Sequence, residues 1–133
     1  MEQWHEGDKR HLQVELGMWV KAYVRQTRLT KFRSDSNGKA ARDYQGNQAA
    51  LRDTFVLLMR QQGFEMFGKV PLGCSIMVEG PRAMRPDLSN LEKAVEDAAN
   101  KALWYDDRWI HVRGSGYKAK ATEDRLMLHI WEI

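Results

Sequence analysis

Residues 86–107 read Pro86-Asp87-Leu88-Ser89-Asn90-Leu91-Glu92-Lys93-Ala94-Val95-Glu96-Asp97-Ala98-Ala99-Asn100-Lys101-Ala102-Leu103-Trp104-Tyr105-Asp106-Asp107. The spacing predicts a helix over Pro86 to Leu103. Leu88, Leu91, Val95, Ala98, Ala99, Ala102 and Leu103 make one apolar stripe at the ~3.6-residue period. Asp87 is placed as its N-cap, where a carboxylate accepts from the free amides of the first turn. Opposite the stripe stand Ser89, Asn90, Lys93 and Asp97, the last three within ~60° of one another at about 100° per residue. A helix of ~16 residues is ~24 Å long. Asp87 at its entrance and Asp106 and Asp107 past its exit can therefore share a site in only two ways. Either the chain doubles back, or a second subunit brings its own copy.

Working outward, Cys74, Ile76 and Val78 alternate with Ser75, Met77 and Glu79, the period of a half-buried strand, which Gly80 and Pro81 end. Between Asn47 and Gln62, Leu51, Phe55, Leu58 and Met59 fall at helical spacing, with Gly63 as the stop and Gly46 arguing against an earlier start. Ser34-Asp35-Ser36-Asn37-Gly38 reads as a loop. Leu12, Val14 and Leu16 alternate as a strand, and Met18 to Phe32 reads as a second strand or an extended basic arm. Downstream, Trp109 to Tyr117 and Arg125 to Glu132 read as two strands joined by a polar turn, in the manner of a hairpin. The fold class expected is α/β (α+β), a small mixed sheet with two main helices. Residues 1–10 are expected to be a ragged N-terminus and residues 11–133 one domain.

The chain has 133 residues, 43% of them apolar and 29% charged, which suits one folded domain with a real core. The lone Cys74 excludes an internal disulfide and a cysteine zinc cluster. His5, His11, His111 and His129 show no metal-ligand spacing, which argues against zinc. Met1 to Arg10 lacks an apolar signal-peptide core, and no run approaches the ~20 apolar residues of a membrane span. A cytoplasmic protein with no membrane partner is expected. Net charge is +3, yet Lys21, Arg25, Arg28, Lys31, Arg33, Lys39 and Arg42 face a single acid, Asp35, within one short stretch. Such a patch gathers polyanions and anchors phosphates, although a solvated basic loop has the same composition.

Asp87, Asp107 and Lys93 form a chemically coherent nuclease set. Hard cations such as Mg²⁺ use a few carboxylates, with water and phosphate completing the shell. A metal so held activates water and stabilises the charge that develops at phosphorus, while a lysine pairs with phosphate or the leaving oxygen. On physics alone an N-cap aspartate, a solvated lysine and an Asp-Asp turn are the favoured reading, because such residues are common at helix ends.

The segment resembles the signature of the RusA family of Holliday-junction resolvases, Asp-Leu-Asp-Asn-Leu-x-Lys followed by a short helix and an aromatic segment with Asp-Asp. Asp87, Leu88, Asn90, Leu91 and Lys93 match, as do Asp97 and the Asp106-Asp107 pair. The likeness is closest from Asp87 to the C-terminus; upstream it rests on element order and the basic arm. The resemblance implies a crossover junction endodeoxyribonuclease, of the phage or prophage type. It would be a homodimer that uses Mg²⁺, with Mn²⁺ able to substitute, to nick four-way junctions in the nucleoid or a phage-infected cell. Carried over, Asp87 and Asp107 become metal-binding catalytic carboxylates, Asp106 a neighbouring ligand and Lys93 the catalytic lysine. Beside that carry-over, the charge pattern makes Lys21, Arg25, Arg28, Lys31 and Arg33 candidate DNA contacts, and Arg82 and Arg85, just before Asp87, read evenly as phosphate contacts or as a solvated loop.

Ser89 departs from the pattern, standing where the family has a second aspartate. It reads as a substituted ligand, with Glu92, Glu96 and Asp97 as nearby carboxylates that compensate. A weakened enzyme is a second reading, and a non-catalytic branched-DNA-binding protein with a degenerate metal site is the third. Trp104 and Trp109, which flank the Asp-Asp pair, are the aromatic candidates for stacking on distorted DNA.

Overall fold

The structure, a computed structural model, describes residues 1–23, 34–83 and 86–133, with the side chain of Ser36 left aside. Arg25, Arg28, Lys31, Arg33 and Arg85 lie outside the described residues, as does most of the expected strand or arm from Met18 to Phe32.

The described chain runs β1 (Glu2–Glu6), β2 (Lys9–Leu16), α1 (Ser36–Gln62), β3 (Leu72–Glu79), α2 (Leu88–Ala99), β4 (Ile110–Lys118) and β5 (Arg125–Glu132). One 3-10 turn, Asp107–Trp109, precedes β4. Among the described residues the strands form one mixed sheet in the order β1-β2-β5-β3-β4, with β3 and β4 parallel and the other neighbours antiparallel. This is the α+β class expected. Leu12, Val14 and Leu16, Cys74, Ile76 and Val78, and Leu126, Leu128 and Ile130 point to one face of the sheet. That face is buried under Leu51, Phe55 and Met59 of α1 and Leu91, Val95 and Ala98 of α2. Alternation in the strands and the helical stripes thus meet in one core.

Five expectations need correction. The first ten residues are not ragged: Glu2–Glu6 pairs antiparallel with β2 through a tight turn at Gly7, whose φ of 63° suits glycine. The Ser34–Gly38 cluster is a helix start rather than a loop, because Asp35 caps α1 by accepting from the Gly38 amide. The helix then passes through Gly46, where nothing crowds the backbone and the cost is only that of glycine in a helix. α2 stops at Ala99, before the expected Leu103. The Trp104 indole donates to Asn100 Oδ1 at 2.7 Å and Lys101 takes a positive φ of 66°, which turns the chain out of the helix.

Nor do β4 and β5 form a hairpin. β3, α2 and β4 make a crossover, which lays β4 parallel to β3 at the edge of the sheet. β5 fills the slot between β2 and β3. On the sheet face away from the helices, Trp4, His11, His129 and Trp131 stack in a row with ring centroids 4.9–5.2 Å apart. The Trp131 indole lies so close over Gly73 that a Cβ there would sit 2.1 Å from its Cε2. Among the described residues no helix is long and apolar enough to cross a membrane.

Candidate active site

The doubling-back that the helix length demands is supplied by β4. Arg113 donates to Glu96 Oε1 at 2.9 Å, and Ser115 Oγ donates to Glu92 Oε1 at 2.6 Å. As the strand advances from Arg113 to Ser115, its partners on α2 step backward by four residues. β4 therefore runs antiparallel to α2, and the two elements wall a trough of about 500 Å³. Ser89, Glu92, Lys93 and Glu96 line it from the helix, at the i, i+3, i+4 and i+7 positions of a single face. Asp107, Arg108 and Arg113 line it from the opposite side.

Glu96 is 5% exposed, although it lines this trough. One carboxylate oxygen is held by Arg113. The other, Oε2, is buried and has no hydrogen-bond partner among the described residues. Burial pushes its carboxyl up to about 7; Asp107 and Glu92 add to the shift and Arg113 opposes it. Asp107 is likewise raised, first by burial and then by its neighbour Asp106. Asp106 is lowered, because its carboxylate accepts from the Arg108 amide as the cap of the 3-10 turn. The two adjacent aspartates are thus pushed apart: Asp106 is fixed as a cap, and Asp107 faces the trough.

Of the residues expected from the sequence, Asp107, Lys93 and Ser89 come together in the trough. Asp87 does not line it. It caps α2 by accepting from the Asn90 amide at 3.2 Å and meets the trough through Ser89, whose hydroxyl donates to Asp87 Oδ1 at 2.8 Å. Lys93 lies 3.4 Å from Asp97 Oδ2 and 4.9 Å from the centre of the Tyr23 ring. Arg82 does not line the trough either; it is paired with Asp124 at 2.6 Å and set over Trp19. Lys21 also lies by Trp19, and its amide is held by Asn47 Oδ1 at 2.8 Å. Trp104 is fully buried, which removes it as a stacking platform, and Trp109 packs partly against the core. His11 and His129, separate in sequence, meet with ring nitrogens 3.0 Å apart. Arg113 and Ser115 were not anticipated. Their roles follow from the β4–α2 register, which no local pattern announces.

A larger hollow of about 890 Å³ lies at the end of the sheet, beside Glu15, Glu79, Lys118 and Asp124. Its charges are mostly neutralised in pairs, Arg125 with Glu15, Lys118 with Glu79 and Arg82 with Asp124. The narrower trough holds Glu96 and Asp107, the two carboxyls among the described residues that burial pushes upward.

The family model described as endodeoxyribonuclease RusA matches residues 1–130 of the 133. The chain belongs to the RusA endodeoxyribonuclease family. No individual curated protein matches it significantly. In this RusA chain the helix that carries the family signature is α2, and the strand that folds back over it is β4. The match also takes in the residues of β1 and β2. Among the described residues no group of three or more His, Cys, Asp or Glu side chains is disposed by itself to hold a metal ion.

Proposed function

We propose that this RusA-family protein resolves Holliday junctions or related branched DNA by Mg²⁺-dependent phosphodiester hydrolysis. The observation that carries this reading is the trough itself, in which Asp107, Glu96, Glu92, Ser89 and Lys93 share one opening between α2 and β4. The donor types suit a hard cation: they are carboxylates and a hydroxyl, and one buried carboxylate oxygen lacks a hydrogen-bond partner among the described residues. Asp107 and the carboxylates of α2 would hold Mg²⁺ or Mn²⁺, with Asp87 acting on Ser89 from the rim. When bound, such an ion activates water and stabilises charge at the phosphorus.

Lys93 sits at the trough with an ammonium half exposed, placed to pair with a non-bridging phosphate oxygen or the leaving oxygen. Arg108, on the 3-10 turn, offers an exposed guanidinium at the opposite wall. Tyr23, the last residue described before the rest of the basic arm, is tied to the same helix, since its amide donates to the Asn90 carbonyl at 3.0 Å. The arm's cations, Lys21 with Arg25, Arg28, Lys31 and Arg33, together with Arg85, would neutralise the phosphates of the junction arms. Cutting opposed strands of a two-fold-symmetric junction calls for a homodimer with two such troughs.

The test is Asp107→Asn, assayed on a synthetic four-way junction in Mg²⁺. Nicking should be lost while junction affinity stays within a few-fold of wild type. Ser89 favours a second reading, a binder that holds junctions without cutting. Wild-type protein that binds junctions yet never nicks them in Mg²⁺ or Mn²⁺ would establish that reading instead.

A further inference from the structure

The substitution at Ser89 leaves α2 one carboxylate short of the family pattern, and the structure places a replacement two turns further on. Glu96 follows Ser89 by seven residues on the same helix face, ~10 Å nearer the C-terminal end. Three observations single it out. It is buried to 5% exposure and still forms a wall of the trough. Its Oε1 is pinned by Arg113, which fixes the plane of the carboxylate. Its Oε2 has no hydrogen-bond partner among the described residues, a costly state that native proteins rarely leave unfilled. The walls carry three carboxylates, Glu92, Glu96 and Asp107, and three cations, of which Lys93 lies by Asp97, Arg108 by Asp106 and Arg113 on Glu96. A divalent cation satisfies the orphaned oxygen, for which none of these three cations is a hydrogen-bond donor. The Ser89 hydroxyl, by contrast, is committed to Asp87.

We infer that Glu96 is a metal ligand, acting through Oε2 together with Asp107, and that it replaces the carboxylate missing at Ser89. The metal position thereby moves along α2 toward the Asp106-Asp107 turn. Arg113 is a positioning residue: it orients the Glu96 carboxylate and does not itself touch the ion. The inference rests on the metal-dependent reading of this site, and it adds a ligand that the signature does not contain.

The test is Mn²⁺ binding to the full chain without DNA, followed by the electron paramagnetic resonance of free Mn²⁺. Glu96→Gln should weaken Mn²⁺ binding at least tenfold, and Glu96→Asp, with its shorter reach, several-fold. Adding Ser89→Asp to Glu96→Gln should restore much of the affinity, because a carboxylate returns to the helix face. Should the glutamine variant fail to fold, the aspartate variant carries the test. A purely structural glutamate, serving only Arg113, would lower the melting temperature and leave Mn²⁺ affinity unchanged, and that result overturns the inference. Wild type that binds Mn²⁺ and nicks junctions beside a Glu96→Gln variant of equal affinity removes this inference alone. Wild type that binds no Mn²⁺ and never nicks removes the metal-dependent reading with it.

Discussion

Glu96 makes the metal-free protein less stable as pH rises, and Glu96→Gln should abolish that dependence. The folded carboxyl titrates near 7, against an ordinary value of 4.5. Between those values the folded protein keeps a proton that the unfolded chain has released. The stability contributed by the protonated group is therefore full below about 4.5 and is lost as pH climbs to about 7. At ~1.4 kcal/mol per pH unit, the complete loss would reach about 3 kcal/mol. Solvent in the open trough screens part of this, leaving about 1–2 kcal/mol. Urea unfolding in EDTA at pH 5, 6, 7 and 8 measures it. Glutamine cannot ionise, so the variant's stability should fall less steeply than wild type's, and the gap between them should widen by that amount from pH 5 to pH 8. Parallel curves for the two proteins would refute the argument, since they would mean that Glu96 ionises in the fold as freely as in the unfolded chain.

Two further outcomes bear on the fold and the chemistry. Gly73→Ala would drive a methyl into the Trp131 indole, whose Cε2 and Cζ2 lie 2.1 and 2.2 Å from the added carbon. It should cost about 1–3 kcal/mol in urea unfolding, and wild-type stability would show that the indole leaves that face freely. Lys93→Met should reduce junction nicking by ~10²-fold or more while changing junction affinity only a few-fold. Unaltered nicking would leave Lys93 as no more than the partner of Asp97.

The parts of this molecule legible in the sequence are those fixed by local physics. The stripe of α2 and its Asp87 cap are written within one segment, as is the alternation of β2, β3 and β5. The start of α1 was hidden because Ser34-Asp35-Ser36-Asn37-Gly38 has the composition of a loop and also that of a capped helix start. Strand order was hidden for a different reason. β4 and β5 are neighbours in sequence, but the β3–α2–β4 crossover sets β3 between them. The site divides along the same line. Asp107 and Lys93 were visible as matches to the signature and Ser89 as the departure from it, whereas Arg113 gains its role only from the register of β4 on α2. Glu96 could be named as a nearby carboxylate, but its orphaned oxygen belongs to the packed structure.

The central claim is that the trough between α2 and β4 cuts branched DNA with the help of a divalent ion. Mapping the nicks that the purified protein makes in an end-labelled four-way junction, in Mg²⁺ and in EDTA, tests it most directly. Paired nicks in opposing strands that appear in Mg²⁺ and vanish in EDTA are the predicted result, with linear duplex left intact. Nicks that persist in EDTA, or that fall equally on duplex, would contradict it.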